Sequence, residues 1–120
     1  MLEPVRQSWR TSTPLRWSRV NNLPNYVYFD HGIHIQKGVG CETCHGRVDQ
    51  MPITWQGQSL QMRWCLDCHK HPEQHLRPRE EVFTMGYQPP VPQTVLGPEL
   101  VKRYQVRSPQ ALTDCWTCHR

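Results

Sequence analysis

The sequence predicts a small, loop-rich fold with a few short α-helices and little β-structure. Only 37% of its 120 residues are apolar, which leaves little material for a side-chain core. Eleven prolines and seven glycines interrupt any long regular element. Against this background the pattern Cys-x-x-Cys-His occurs three times and uses all six cysteines. We therefore expect a single domain, residues 1–120, that folds around something other than its own side chains.

The N-terminal part predicts no compact element. Residues 1–25 carry Pro4, Pro14 and Pro24 and are expected to form an extended arm. The run that follows, residues 26–29, is rich in β-prone residues and predicts a short strand.

Helix signals precede the second and third copies of the pattern. Ser59 is a candidate N-cap for a helix that runs through Trp64 into the second copy. Gly97-Pro98 is expected to open a helix from Glu99 to Tyr104, and Ser108-Pro109 repeats this signal before the third copy. Residues 88–92 predict a polyproline-like spacer.

Charge and hydropathy exclude several classes of function. The net charge is +4 without any run of like charge, so we expect no nucleic-acid partner. No apolar run reaches the length of a membrane helix, and the N-terminus lacks the apolar segment of a secretory signal.

The three copies are C-E-T-C-H, C-L-D-C-H and C-W-T-C-H. Two cysteines three residues apart lie on the same side of a helical turn. There, each thiol can add across one vinyl group of a haem, and the following histidine is placed under the iron. We therefore predict three c-type haems, attached by Cys41, Cys44, Cys65, Cys68, Cys115 and Cys118 and ligated by His45, His69 and His119.

Other uses of the pattern fit less well. A zinc ribbon takes two Cys-x-x-Cys pairs for each ion, so three pairs leave one unmatched. A redox motif of the thioredoxin kind belongs to a βαβ unit, of which the chain shows no sign. Disulfides within each pair would close only very short loops and stabilise little.

Four further histidines are candidates for the second axial position of the irons. His31 and His34, three residues apart, can each point at a different haem from one helical turn. The third haem is left with His75, with Met62 three residues before Cys65, or with His71. Irons with six ligands pass electrons but offer no open position to a substrate, and the haems themselves are expected to form most of the core.

The motif Phe29-x-His31-x-x-His34, followed shortly by Cys-x-x-Cys-His, resembles the class III multihaem cytochromes. This resemblance implies that His31 binds the haem of His45 and that His34 binds the haem of His69. In the small trihaem members the last haem takes a ligand from just before the second motif, where this chain offers Met62 rather than a histidine.

A more specific resemblance covers roughly residues 8–85. It rests on the runs 23–31, 38–41, 44–51 and 64–69, and on Leu76-Arg77-Pro78. These runs are similar to the pentahaem cytochrome subunit of alternative complex III, a complex that oxidises menaquinol or another quinol and sends electrons to periplasmic acceptors. Its other subunits are an iron–sulfur and molybdopterin-like protein and integral quinol-binding proteins.

That family carries a membrane helix and two further haem sites upstream of this region. The resemblance implies that the chain is the C-terminal trihaem part of a longer polypeptide, on the periplasmic side of a bacterial cytoplasmic membrane. Since haems are attached after export, we expect a targeting segment upstream. The main hypothesis is an electron-transfer subunit, not an enzyme by itself. The first alternative is a free periplasmic trihaem carrier. A multihaem reductase is the less favoured alternative, because it would need a haem iron with one position free for a substrate.

Overall fold

The computed structural model describes residues 2–119, a loop-rich chain with seven short α-helices in that range. Two of the 3-10 turns, Val48–Gln50 and Pro72–Gln74, follow the first and second motifs, and Arg79–Glu81 is the third turn. A lone antiparallel bridge joins Val39 to Leu76. The predicted fold class is confirmed. No helix within residues 2–119 combines the length and the apolar character needed to span a membrane. The helices are α1 Glu3–Thr11, α2 His31–Gln36, α3 Cys41–His45, α4 Met62–Lys70, α5 Gln93–Arg103, α6 Pro109–Leu112 and α7 Cys115–Cys118.

The side-chain core is small and lies on one side of helix α5. Leu96, Leu100 and Tyr104 project from this helix and its C-terminal cap onto Leu76. Leu100 is fully buried. The radius of gyration is 17.4 Å, whereas a compact domain of this length has about 14 Å. The three motifs therefore lie largely outside this core.

Helix α5 packs closely on the 3-10 turn that follows the second motif. Gln93 Nε2 donates to the carbonyls of Glu73 and Leu76, each at 2.8 Å. A Cβ at Gly97 would overlap the carbonyl of Glu73, so only glycine lets the helix approach this far. The packing ties the segment after the second motif to the core.

The expectation of an extended arm over residues 1–25 is wrong for its first part. Helix α1 occupies residues 3–11, with Pro4 in the first turn, where its missing N–H costs no helical bond. Arg10 pairs with Glu3 along the same helix. Residues 13–25 contain no helix or strand.

The β-prone run 26–29 forms no strand, so that expectation is also wrong. The amide of Tyr28 donates instead to the carbonyl of Cys118 at 2.8 Å. The Tyr28 amide is therefore not available to pair with a neighbouring strand. The same hydrogen bond joins the run to the third motif.

Two predicted helix starts are displaced. Leu60 has a positive φ of 52°, so α4 begins only at Met62, and Ser59 accepts from the amide of Gln61 instead of capping the helix. Pro98 lies inside α5 rather than at its start, because burial of Leu96 and Leu100 offsets the lost helical bond. The third start is confirmed, since the Ser108 hydroxyl accepts from the amide of Ala111 at the N-terminus of α6.

Replacing Gly97 with alanine should destabilise the protein by about 1–3 kcal/mol, the usual cost of overpacking a close contact. The new methyl group would meet the backbone of Glu73, which cannot rotate away as a side chain can. Thermal unfolding of the haem-loaded protein measures the effect. Val95→Ala, on the exposed side of the same helix, is the matched control and should change the midpoint little. Equal stability of Gly97→Ala and wild type would contradict the packing described.

Candidate functional site

Each Cys-x-x-Cys-His motif lies on a short helix. Helix α3 contains the whole of the first motif, and the second motif fills the C-terminal half of α4. Helix α7 contains both cysteines of the third motif and ends just before His119. The helical backbone places the paired thiols on one side, as the spacing predicts. None of the six cysteines forms a disulfide in the structure.

The first site joins helices α2 and α3. One cavity is lined by Cys41, Cys44 and His45 from the motif and by His31 from α2. The ring centres of His31 and His45 are 6.1 Å apart and their planes differ by only 6°. The remaining wall of the cavity is mainly apolar and includes Trp64.

The second site has the same arrangement. His34, also from α2, faces His69 of α4 with 6.1 Å between ring centres and 23° between ring planes. Both rings line a second cavity with Cys68. The two histidines of one helical turn therefore face the histidines of two different motifs.

These separations match the geometry of a bis-histidine iron. A metal–nitrogen bond to histidine is about 2.0 Å long, and a ring nitrogen lies roughly 1.1 Å from the centre of a ring with bonds of about 1.3 Å. Two imidazoles on opposite sides of one iron then have centres about 6.2 Å apart. Both pairs meet this distance, so the residues present fit a haem at each site. Within residues 2–119 no group of three or more histidine, cysteine or acidic side chains is arranged so that it could hold a metal ion by itself.

Backbone carbonyls orient three of the histidines. The Nδ1–H of His34 donates to Asp30 at 2.7 Å, that of His69 to Leu112 at 3.0 Å, and that of His119 to Tyr26 at 3.1 Å. Since a carbonyl only accepts, the proton resides on Nδ1 and the lone pair of Nε2 is free for a metal. Burial lowers the pKa of His69, which favours the neutral ligand form.

Helix α2 is itself held in place from its N-terminal side. The Asp30 carboxylate accepts from the amide of Gly32 at 2.7 Å and caps the helix. The Phe29 ring lies 4.7 Å from the ring centres of both His31 and His34. Phe29, the first residue of the motif that carries the resemblance, therefore positions both imidazoles at once.

The third motif contacts residues 26–28. His119 lies 5.9 Å from the Tyr26 ring in addition to its bond to the Tyr26 carbonyl. Asp114 caps α7 through the amide of Trp116, and the Thr117 hydroxyl donates to the carbonyl of Ala111 at 2.9 Å. This site has an oriented proximal histidine and, unlike the other two, no histidine ring paired with it among the described residues.

The other candidate ligands are dispersed. His75 lines the second cavity with His34 and His69, and burial lowers its pKa. His71 is exposed, with Nδ1 3.6 Å from the carboxylate of Glu73. Met62 is the first residue of α4. Which of these binds the third iron stays a prediction.

The cysteine thiols of neighbouring motifs lie near one another. Burial, with a smaller contribution from the nearby Cys65, raises the pKa of Cys44 to about 11. Burial likewise raises the pKa of Cys68 to about 12, with a contribution from Cys44. Both groups are therefore neutral thiols at neutral pH in the chain without attached haems.

A buried ion pair that the sequence analysis did not identify anchors the first motif. Arg77 Nη2 donates to the Glu42 carboxylate at 2.9 Å, with side-chain exposures of only 10% and 15%. Glu42 also accepts from the amide of Gly86 at 2.6 Å, and Arg77 donates to the carbonyl of Thr84 at 3.1 Å. A Cβ at Gly40 would overlap the guanidinium, so a larger residue just before Cys41 would displace Arg77 from its present position. No local pattern links residues 42 and 77.

Residues 27–120 match the model of a protein family described as cytochrome c7 and related cytochrome c. The match includes all three motifs together with His31 and His34. A comparison with curated proteins finds no match.

Removing either distal histidine should open one iron. We expect His31→Ala and His34→Ala each to convert one haem from low spin to high spin, because each removes one member of a facing pair. Electron paramagnetic resonance of the oxidised protein and carbon monoxide binding to the reduced protein measure this. Gln36→Ala, at an exposed position of the same helix, is the control and should leave all spin states unchanged. A fully low-spin His31→Ala protein would contradict the pairing.

Breaking the Arg77–Glu42 pair should cost about 3–5 kcal/mol, because Arg77→Met leaves a buried carboxylate without its partner. Unfolding by denaturant of the haem-loaded variant measures the loss. Arg47→Met, which removes an exposed pair with Asp49, is the control and should have a small effect. A comparable loss in both variants would contradict the role given to burial.

The same pair should make stability depend on pH. Burial raises the pKa of Glu42, but hydrogen bonds from Gly86 and Arg77 and the charge of Arg77 outweigh it and hold the pKa below its ordinary 4.5. The carboxylate therefore stabilises the fold above pH 4.5, and this contribution is lost as pH falls through the folded-state pKa. The difference in unfolding free energy between wild type and Glu42→Gln should shrink over that window. A constant difference down to acid pH would contradict the assignment.

Proposed function

Because this chain belongs to the cytochrome c7 family, we propose that it transfers electrons as part of a membrane-bound quinol-oxidising complex. The family relationship itself establishes the coarser function: the chain binds three c-type haems and is a multihaem electron carrier. The prediction of three haems is thereby confirmed. The membrane complex, the location on the periplasmic side and the transfer to a periplasmic redox protein are the proposed part.

The chain's own residues determine how such a carrier works. The haems supply one-electron chemistry at iron when bound. His31 and His34 face the proximal histidines of two motifs, so with haems bound these two pairs would hold the irons and leave no open position for a substrate. Hydrogen bonds at Nδ1 orient the rings of His34 and His69 and leave their Nε2 atoms available to hold an iron.

The observation that favours a complex is the N-terminal segment, residues 2–26, which precedes the part matched to the family. Helix α1 buries no residue against the rest of the chain. Trp9 is 87% exposed and Trp17 is 84% exposed. Large apolar side chains as exposed as these are candidates for contact with another protein. The resemblance to the pentahaem subunit of alternative complex III supports the identity of that partner: the integral and iron–sulfur subunits of a quinol-oxidising complex.

A free periplasmic trihaem carrier is the second candidate, and the extent of the family match favours it. Residues 27–120 contain every motif and both paired histidines, so the matched part is a complete trihaem unit without the N-terminal segment. In this reading α1 would be an appendage and the surface around the haems would meet partners only transiently.

Fractionation of the native host separates the two candidates. A tagged, haem-loaded chain that belongs to the complex should stay with the membranes after osmotic release of the periplasm. Its haems should be reduced when a soluble naphthoquinol is added to those membranes. Recovery of the protein with the released periplasm, together with no reduction by quinol, would contradict the complex and favour the free carrier.

Two variants test the surface directly. Replacing Trp9 and Trp17 with serine should release the protein from the membranes without changing its haem content, because neither side chain packs against the trihaem part. Ile53→Ser is the matched control, since Ile53 is 82% exposed but lies within the family-matched part. Release by the control and the double variant alike would overturn the role of the N-terminal segment.

A further inference from the structure

The two cavities that contain the facing histidines differ in the charge of their walls. The described residues that line the first cavity include no lysine and no arginine. The second cavity is lined by Lys37, at the C-terminal cap of α2, and by Arg107, from the segment between α5 and α6. Among the described residues, neither lining contains an aspartate or a glutamate. The second cavity is therefore the cationic one.

Lys37 carries a partly buried charge without a counter-ion. Its Nζ donates to the carbonyl of Tyr104 at 2.7 Å and to that of Gln105 at 3.3 Å. Both acceptors lie at the C-terminus of α5, where the partial negative charge of the helix offsets only part of the ammonium charge. None of the ion pairs within residues 2–119 includes Lys37. Since an ammonium group has three N–H donors, one donor is left over.

Arg107 reaches the same cavity because of the way in which α5 ends. Gln105 follows the helix with a positive φ of 50°, and the amide of Val106 donates back to the carbonyl of Val101 at 3.0 Å. This is a Schellman ending with glutamine at the position that glycine usually takes. Val106 and Arg107 then both line the second cavity. The charge of Arg107 lies close enough to His69 to contribute, after the larger effect of burial, to the lowered pKa of that imidazole.

A bound haem supplies the anions that these two cations lack. Besides the two vinyl groups that react with the cysteines, a haem carries two propionate carboxylates. Ammonium and guanidinium groups are the usual partners of carboxylates in proteins. A haem in the second cavity would meet two cationic residues, whereas a haem in the first cavity would meet no lysine or arginine in the described wall.

We propose that Lys37 and Arg107 bind the propionates of the second haem and give this haem a higher reduction potential than the first. A nearby positive charge favours the ferrous state, because ferric iron carries one more positive charge than ferrous iron. Both sites present a pair of facing imidazoles, so the charge of the wall distinguishes them and the ligand type does not. Electrons that reach the first haem then pass to the second.

The direction of transfer between these two sites depends on the attached haems and on residues of this chain alone. It does not depend on membership of a membrane complex, so either proposed function can fail without affecting it. Lys37 and Arg107 act in it as positioning residues, because they hold the edge of the haem and do not touch the iron.

A redox titration of the full haem-loaded chain, followed by nuclear magnetic resonance, measures each potential separately. Contacts of haem protons with Ile33 and Leu76 identify the second haem, and contacts with Leu23 and Trp64 identify the first. The second haem should be reduced at a higher potential than the first. A first haem that is reduced at an equal or higher potential would overturn the proposal without any variant.

Variants of Arg107 test the charge at an exposed position. Arg107→Gln should lower the ratio of ferrous to ferric second haem at a fixed potential about tenfold, a shift of about 59 mV for one electron. The potential of the first haem should stay the same. Arg107→Lys keeps the charge and should keep the potential of the second haem near that of the wild type.

Lys37→Gln should lower the potential of the second haem in the same direction as Arg107→Gln. Lys102→Gln is the matched control, since Lys102 is exposed on α5 and lines neither cavity, and it should shift neither potential. An unchanged second haem in either Arg107→Gln or Lys37→Gln would overturn the proposal. A shift that the first and second haems share equally would overturn it as well.

Discussion

A single turn of helix α2 supplies the constraint on which the arrangement of the sites depends. His31 and His34 leave this turn three residues apart and meet His45 and His69, each pair with 6.1 Å between ring centres. Two irons held by the side chains of one helical turn would lie close together, whatever the conformation of the loops. Rapid electron transfer needs haems that lie close together. Helix α2 would therefore both supply ligands and set the distance between the two haems. Phe29 contacts both imidazoles and preserves their relative orientation.

The rest of the chain attaches the motifs to a core too small to organise them alone. Helix α5 and Leu76 form that core, and the buried pair of Arg77 with Glu42 links it to the first motif. The third motif is joined to the segment before α2 through the Tyr26 carbonyl. Each motif is thus held by a specific polar contact rather than by general burial. Such a framework suits a protein whose largest apolar groups are covalently bound haems.

Local patterns made much of the site predictable. The motif spacing and the i, i+3 histidines depend only on helical geometry, and the helix start at Ser108 depends on a local cap. Contacts between distant residues were not predictable from one sequence: nothing near Glu42 indicates Arg77, and nothing near His119 indicates Tyr26. The helix boundaries at Met62 and Pro98 differed because a left-handed Leu60 and the burial of neighbouring side chains override local signals.

The central claim is that one helical turn ligates two irons. A crystal structure of the haem-loaded protein, with the irons located by anomalous scattering, tests it most directly. We expect Nε2 of His31 and of His45 on opposite sides of one iron, and Nε2 of His34 and of His69 on opposite sides of another, with the two haems close together. An iron that carries His45 or His69 but is ligated on its other side by any residue outside α2 would contradict it.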